Sequence, residues 1–264
     1  MRKKRIAALI CALTLAAGQT AYAQSVTVSV NGTPLEPESF LRGGITYTPL
    51  SALLEAMGGW KTEWNASARR ARTDTELFTL DVPIGADYVY ADGFLFGLNG
   101  ECFIENGRTY VPLRAVANLL GADVTFTGMD APISVTVGEG MPYTEEDLYW
   151  LSRVISAESR GESLYGQIAV GNVVLNRLAS QEFPNTIKEV VFDTKHAVQF
   201  EPTANGTIYD EPTAQSILAA RLALSGTNAV GDCLYFFNPS LSQGKWIREN
   251  RDYFTTIGCH RFYH

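Results

Sequence analysis

The chain has 264 residues, 46% hydrophobic, 19% charged and 11% aromatic. That is ordinary globular composition, which excludes full disorder and collagen-like repetition. At about 150 residues per domain it gives two domains as the prior. Four of the 21 basic residues lie in the first five positions; beyond residue 23, 17 basic face 28 acidic residues, a net of −11. Such an acidic body excludes nucleic-acid binding by phosphate neutralisation and electrostatic docking on an anionic membrane. Four cysteines are too few for a disulfide-dense mini-scaffold.

Residues 1–23 read as an export signal. Arg2, Lys3, Lys4 and Arg5 form a positive start, Ile6 to Ala17 a short apolar run, and Ala21-Tyr22-Ala23 a small-x-small cleavage site. The alternative is an uncleaved anchor, but the apolar run is shorter than the roughly 20 residues a spanning helix needs. Cleavage removes Cys11 and leaves a mature chain starting at Gln24. The expectation is a secreted, extracytoplasmic protein with no stable membrane insertion.

The next segment, residues 24–137, contains a repeat. GITYTPLSALLEAMG (44–58) returns as GRTYVPLRAVANLLG (107–121) at an offset of 63. Each copy reads as a turn, a short strand and a helix of about three turns. Pro49 and Pro112 precede the helices, where a missing N–H costs little. Gly58 and Gly121 are the expected C-caps. Strands are expected at 61–64 and 123–127, and alternating strands between the copies. VTVSVNGTPL (26–35) is a strand with an Asn-Gly hairpin turn. VNGTPL, NGRTYVPLRAVANLLGADV and the closing ISVTV resemble the copper amine oxidase N-terminal-like domain, a stalk module of secreted proteins. The resemblance implies either attachment to wall polymer or a surface partner, or a rigid spacer. It brings no copper chemistry, because this half has no histidine.

Residues 138–142 (GEGMP) read as a linker. Thr144-Glu-Glu-Asp147 then has the form of a capping box. Leu148, Leu151 and Ile155 recur at helical spacing, and Glu158 falls almost on the same face, just before Ser159-Arg160-Gly161, where the helix should break. A carboxyl at the end of an apolar stripe is partly desolvated. Its pKa rises and it can stay protonated near neutrality, as a general acid must. The plainer alternative is a surface Glu at a frayed helix end. A second helix is expected over 164–178, with Asn176 and Arg177 at its end. A third follows from about 210 to 226, and strand-like runs close the chain at 233–239 and 257–264. Cys233 and Cys259, outside the cell, could pair in a disulfide worth about 3 kcal/mol, the alternative being two buried thiols. His196, His260 and His264 are scattered without zinc spacing, so neither metal nor cofactor is expected.

LSRVISAESRGESLYGQIAVGNVVLNRL (151–178), VQF (198–200), LYFFNP (234–239) and IGCHRFY (257–263) together resemble the catalytic domain of SleB-like spore cortex-lytic and cell-wall hydrolases, over residues 143–264. The resemblance implies an enzyme acting on peptidoglycan glycan strands at the MurNAc-GlcNAc bond. The implied reaction is that of a lytic transglycosylase, in spore cortex lysis or in cell-wall remodelling. It matches the family's catalytic Glu to Glu158. It also matches Gln199, Phe200, Tyr235, Asn238, His260 and Tyr263 to motif positions with candidate substrate contacts. Each of these has packing as its alternative. Glu162, Asn176 and Arg177 are supporting residues. Glu162 is read as a structural or pKa-tuning neighbour, with a second catalytic role or plain solvation as alternatives. A catalytically silent wall-binding or structural envelope protein is the competing class. The expected fold is α+β: a β-rich N-terminal module with two short helices, then a C-terminal helical subdomain closed by antiparallel strands, lytic-transglycosylase-like, with the substrate cleft between helices and strands.

Overall fold

The computed structural model describes residues 24–75, 77–128, 131–137, 143–195 and 199–264. The expected signal segment, Cys11, the 138–142 linker, His196 and Val198 lie outside them. The architecture is α+β, with a β-rich N-terminal half and a helical C-terminal half closed by antiparallel strands.

Three sheets build the N-terminal half. One runs in the order Gln24–Val26, Ser39–Arg42, Ile45–Pro49, Arg108–Pro112, Phe103–Glu105. A second is an antiparallel meander from Glu63–Asn65 to Phe94–Gly97. The third joins Ala122–Thr125, Ile133–Val137, Val28–Val30 and Thr33–Pro34, with Ile133–Val137 parallel to Val28–Val30. Asn31 (φ 49°) and Gly32 (φ 81°) make the expected two-residue turn between Val30 and Thr33, where both central residues need positive φ.

The repeat turns out to be a pseudo-twofold. Its two strands pair with each other antiparallel, in the register Tyr47–Pro112, Thr48–Val111, Pro49–Tyr110. At an offset of 63 these residues are each other's equivalents, so the axis passes between Thr48 and Val111. The symmetry extends beyond the recognised motif. Phe40 and Phe103 are also equivalents, and the ring pairs Phe40–Tyr110 and Tyr47–Phe103 lie 4.8 and 5.0 Å apart between centroids. Each strand leads into a helix, α1 (Leu50–Gly58) or α2 (Leu113–Leu119). Both helices start directly after proline and bury Leu50, Leu53 and Leu54 or Leu113, Val116 and Leu119. The C-cap of α2 is Leu120, and the expected cap Gly121 (φ 75°) is the residue after it. The C-cap of α1 is Gly59 (φ 70°), one residue beyond the expected Gly58. Gly58 stays helical because its missing Cβ leaves room for the Trp60 ring.

In the C-terminal half, α3 (Glu145–Ser159) and α4 (Leu164–Ala179) form a hairpin of helices. α3 opens with the expected capping box: the Asp147 N–H donates to Thr144 Oγ1 (3.2 Å) and the Thr144 N–H to Asp147 Oδ2 (2.9 Å). α4 is buried on almost every side. At its middle, Gly171 admits Ile155 from α3 and Ala223 from α7 (Ala214–Leu224). Short helices α5 (Ile187–Val191) and α6 (Glu201–Asn205) lie between α4 and α7, and α8 (Lys245–Asn250) precedes the last hairpin. Three strands, not the two expected, close the chain, in the order Tyr235–Phe237, His260–Tyr263, Tyr253–Ile257. The expected run 257–264 is cut by a turn at Gly258-Cys259 (φ 55° at Gly258).

The halves share one hydrophobic core. Tyr165 on α4 meets Phe96 edge to face at 5.6 Å, and the buried Thr227 hydroxyl donates to the Leu119 carbonyl at 3.3 Å. Gly121 lies against the backbone of Ser225 and Gly226, where no side chain could fit.

Candidate active site

Glu158 is in the last turn of α3, largely buried. Burial first, and the charge of Glu201 second, push its carboxyl up to about 7; the Arg177 guanidinium opposes the rise and loses. The helix end adds to this, since a carboxylate is disfavoured by the negative end of the macrodipole. Glu201 opens α6 and was not singled out from the sequence, because it reaches Glu158 only through the fold.

Arg177 is only 4% exposed. Its Nε donates to the Leu234 carbonyl (2.8 Å), and its guanidinium lies 4.9 Å from the Phe183 ring, 5.2 Å from Phe200 and 5.6 Å from Tyr235. Burial lowers its pKa to about 10, while Tyr235, Asp193 and Glu158 pull the other way. It therefore stays charged beside the acid. Next to it, the Asn176 amide donates to the carbonyls of Gly231 (2.8 Å) and Cys233 (2.9 Å). Both residues thus tie the end of α4 to the closing strands.

Glu162 reaches into the turn of the final hairpin. Its Oε1 accepts the Cys259 N–H at 3.1 Å and lies 3.6 Å from His260 Nδ1, and its carboxylate occupies the space a Cβ at Gly258 would take. The Glu162 carbonyl accepts from the amides of Gln167 (3.2 Å) and Gln215 (3.0 Å). Fully buried Gln167 also accepts the Ser216 hydroxyl at 2.8 Å. These bonds fix the α3–α4 turn, and with it the helix end that carries Glu158.

The expected substrate contacts divide. Tyr235 is half-buried, its hydroxyl accepting from Arg251 Nη2 at 2.8 Å, and it faces Arg177. Gln199 is also half-buried, its N–H 3.4 Å from the Asp193 carbonyl. Asn238 serves a turn, its Oδ1 accepting the Ser240 N–H at 2.9 Å and its carbonyl the N–H groups of Leu241 and Ser242. Phe200, His260 and Tyr263 follow the packing alternative. They are 1%, 6% and 4% exposed. Phe200 packs beneath Arg177, His260 lies edge-on to Phe236, and Tyr263 stacks on Phe237. Phe200 precedes α6, and His260 and Tyr263 are the first and last residues of the closing strand. Of the two readings left open for Cys233 and Cys259, this structure has free thiols. Cys233 is packed with Ala169, Val173, Val230 and Phe262, while Cys259 is exposed at the hairpin turn.

A cavity of about 660 Å³ is in the N-terminal half. Its lining includes Val26, Ile45, Leu113 and Phe126, with Arg114 the one charged residue among the described ones. No group of three His, Cys, Asp or Glu among the described residues could hold a metal.

Known proteins resemble both halves. The Cell Wall Hydrolase family model matches residues 161–263, beginning just past Glu158, and the Copper amine oxidase N-terminal domain matches 29–135. Cell wall hydrolase CwlJ of Oceanobacillus iheyensis is 30% identical over 103 residues, 37% of this chain and 72% of that protein. The chain belongs to the cell wall hydrolase family. A spore cortex-lytic enzyme of Bacillus cereus is 38% identical over 120 residues, 46% of this chain and 45% of that enzyme. The chain spans about half the length, or less, of the cortex-lytic enzymes it matches. Among solved structures, the catalytic domain of the germination-specific lytic transglycosylase SleB from Bacillus anthracis is 37% identical. It covers 46% of this chain and 97% of that one, with a TM-score of 0.43. The copper in the name of the N-terminal match has no counterpart in the donors present, since residues 29–135 contain no histidine.

Proposed function

We propose that this chain is an exported enzyme that cleaves peptidoglycan glycan strands between N-acetylmuramic acid and N-acetylglucosamine, as a lytic transglycosylase. The observation that carries this reading is the Glu158 carboxyl, held at about 7 at the buried end of α3. Such a group is partly protonated at neutral pH and can give its proton to the bridging oxygen. As the bond from that oxygen to muramyl C1 breaks, positive charge develops on C1. The C6 hydroxyl of the same sugar then closes onto C1 and returns its proton to the Glu158 carboxylate. The product is a 1,6-anhydro end, no water is consumed, and the acid is regenerated. The Arg177 charge lowers the cost of the transient carboxylate.

A single acid suits the neighbouring carboxyls. A retaining glycosidase places a second carboxylate about 5 Å from the first, whereas Glu162 is committed to the hairpin. Glu201 tunes the acid through its charge. In this reading residues 143–264 form the catalytic domain, 24–137 a stalk, 138–142 a linker and 1–23 the export signal. Tyr235 and Gln199 remain candidate substrate contacts. Resemblance to spore cortex-lytic enzymes supports action on cortex or vegetative wall, outside the cytoplasmic membrane. No helix among the described residues is long and apolar enough to cross a membrane.

Digestion of purified sacculi by the chain and by Glu158→Gln tests this, with mass spectrometry of the released muropeptides. Anhydro-muramyl ends from the wild type and none from the variant are expected. Reducing ends would mean hydrolysis, and equal activity of the two forms would remove Glu158 from the chemistry.

A further inference from the structure

Trp246 has no explanation in the core. It lies in α8, a helix with no buried residue, and is 56% exposed. Its position is nonetheless fixed. Gly244 (φ 52°) starts α8 pressed against the Phe237 ring, where a Cβ would meet ring carbons at 2.6 Å. Asn250 Nδ2 donates to the Trp246 carbonyl at 2.8 Å. The indole meets Tyr235 edge to face at 5.8 Å, and the Arg251 guanidinium lies 5.4 Å from the indole and 4.5 Å from the Tyr235 ring. Arg251 Nη2 donates to the Tyr235 hydroxyl (2.8 Å) and lies 3.9 Å from Glu182, while its Nε is buried without a partner.

This shelf leads back to the acid. Tyr235 is 5.6 Å from the Arg177 guanidinium, and Arg177 is the cation whose charge acts on Glu158. Tyr235 thus lies between Trp246 and Arg177. We propose that Trp246, held by Tyr235 and Arg251, is a sugar-stacking subsite that seats a pyranose ring of the glycan strand to one side of the bond Glu158 protonates. The inference rests on the peptidoglycan reading for the identity of the sugar. A rigid, amphipathic ring loses little conformational freedom on binding and offers a flat apolar face. A pyranose presents such a face on its C–H side, with its hydroxyl and amide groups at the rim, where the guanidinium can donate. Arg251 also keeps a charge available for the acidic substituents of muramic acid.

The test uses a soluble tetrasaccharide of alternating N-acetylglucosamine and N-acetylmuramic acid, added to the full chain carrying Glu158→Gln to prevent turnover. The indole N–H resonance of Trp246, assigned by its loss in Glu158→Gln/Trp246→Phe, should shift progressively with sugar. In the otherwise wild-type chain, Trp246→Ala should raise KM about tenfold with kcat within about twofold, a loss of uniform binding, and Trp246→Phe should recover most of it. A resonance that stays in place while the wild type digests sacculi overturns the subsite and leaves the enzymatic reading standing. A shifted resonance with no digestion by the wild type keeps the subsite and overturns that reading. A shift that follows protein concentration without sugar marks contact between copies and overturns the subsite.

Discussion

Glu158 sits where its charged form is costly, and this makes stability depend on pH in a definite direction. Its folded pKa of about 7 exceeds the ordinary 4.5, so the folded chain binds the proton more tightly than the unfolded chain. The penalty is absent below the unfolded value, grows as pH rises towards 7 and is complete above it. Glu158→Gln should therefore match the wild type at pH 4 and exceed it at pH 8 by about 3 kcal/mol. Denaturant melts at both values measure this, and an equal gain at both would mean that the carboxyl is not desolvated. The acid was legible from the sequence because an apolar stripe running into a carboxyl and a helix break is local. Its modulators were legible in part. Arg177 appeared only as a helix-end residue and Glu201 not at all, since their charges meet Glu158 through tertiary packing. For Phe200, His260 and Tyr263 both readings stayed open for a related reason: motif position does not distinguish a ring that faces a ligand from one that faces the core.

At the scale of elements, the helix hairpin α3–α4 and the strand hairpin 253–263 are locked by one carboxylate. Gly258 has φ 55° and Glu162 fills the place of its side chain. Gly258→Ala should cost about 2 kcal/mol, combining left-handed strain with displacement of Glu162. Shortening the intruded side chain removes the second part, so Gly258→Ala/Glu162→Ala should cost less than the sum of the single changes, by about 1 kcal/mol. Strict additivity in denaturant titrations would show that the two do not meet. The helices were predictable from their periodicity and caps. The hairpin was not, because Ile257 to Tyr263 reads as one aromatic strand until the φ of Gly258 divides it. Helix α8 escaped for want of an apolar stripe, and Trp246 escaped with it.

At the scale of the molecule, the pseudo-twofold shows what a repeat does and does not disclose. Its helices and strands were evident from GITYTPL and GRTYVPL, but that the copies pair with each other about Thr48 and Val111 is a matter of register, which no single copy contains. The contact between halves was equally hidden. It joins the backbone at Gly121, Ser225 and Gly226, the Thr227 hydroxyl on the Leu119 carbonyl and the Tyr165 ring on Phe96. Gly121→Ala places a methyl group into a carbonyl at a residue with φ 75°. It should lower stability by about 2 kcal/mol or more and turn a single thermal transition into two. Calorimetry decides this, and an unchanged single transition would mean that the seam does not couple the halves. The seam has one more consequence. Where main chain rests directly on main chain there is no rotatable side chain to act as a ball joint. The end of α3 that carries Glu158 then takes its heading from the β-rich half, as a blade takes its angle from the handle.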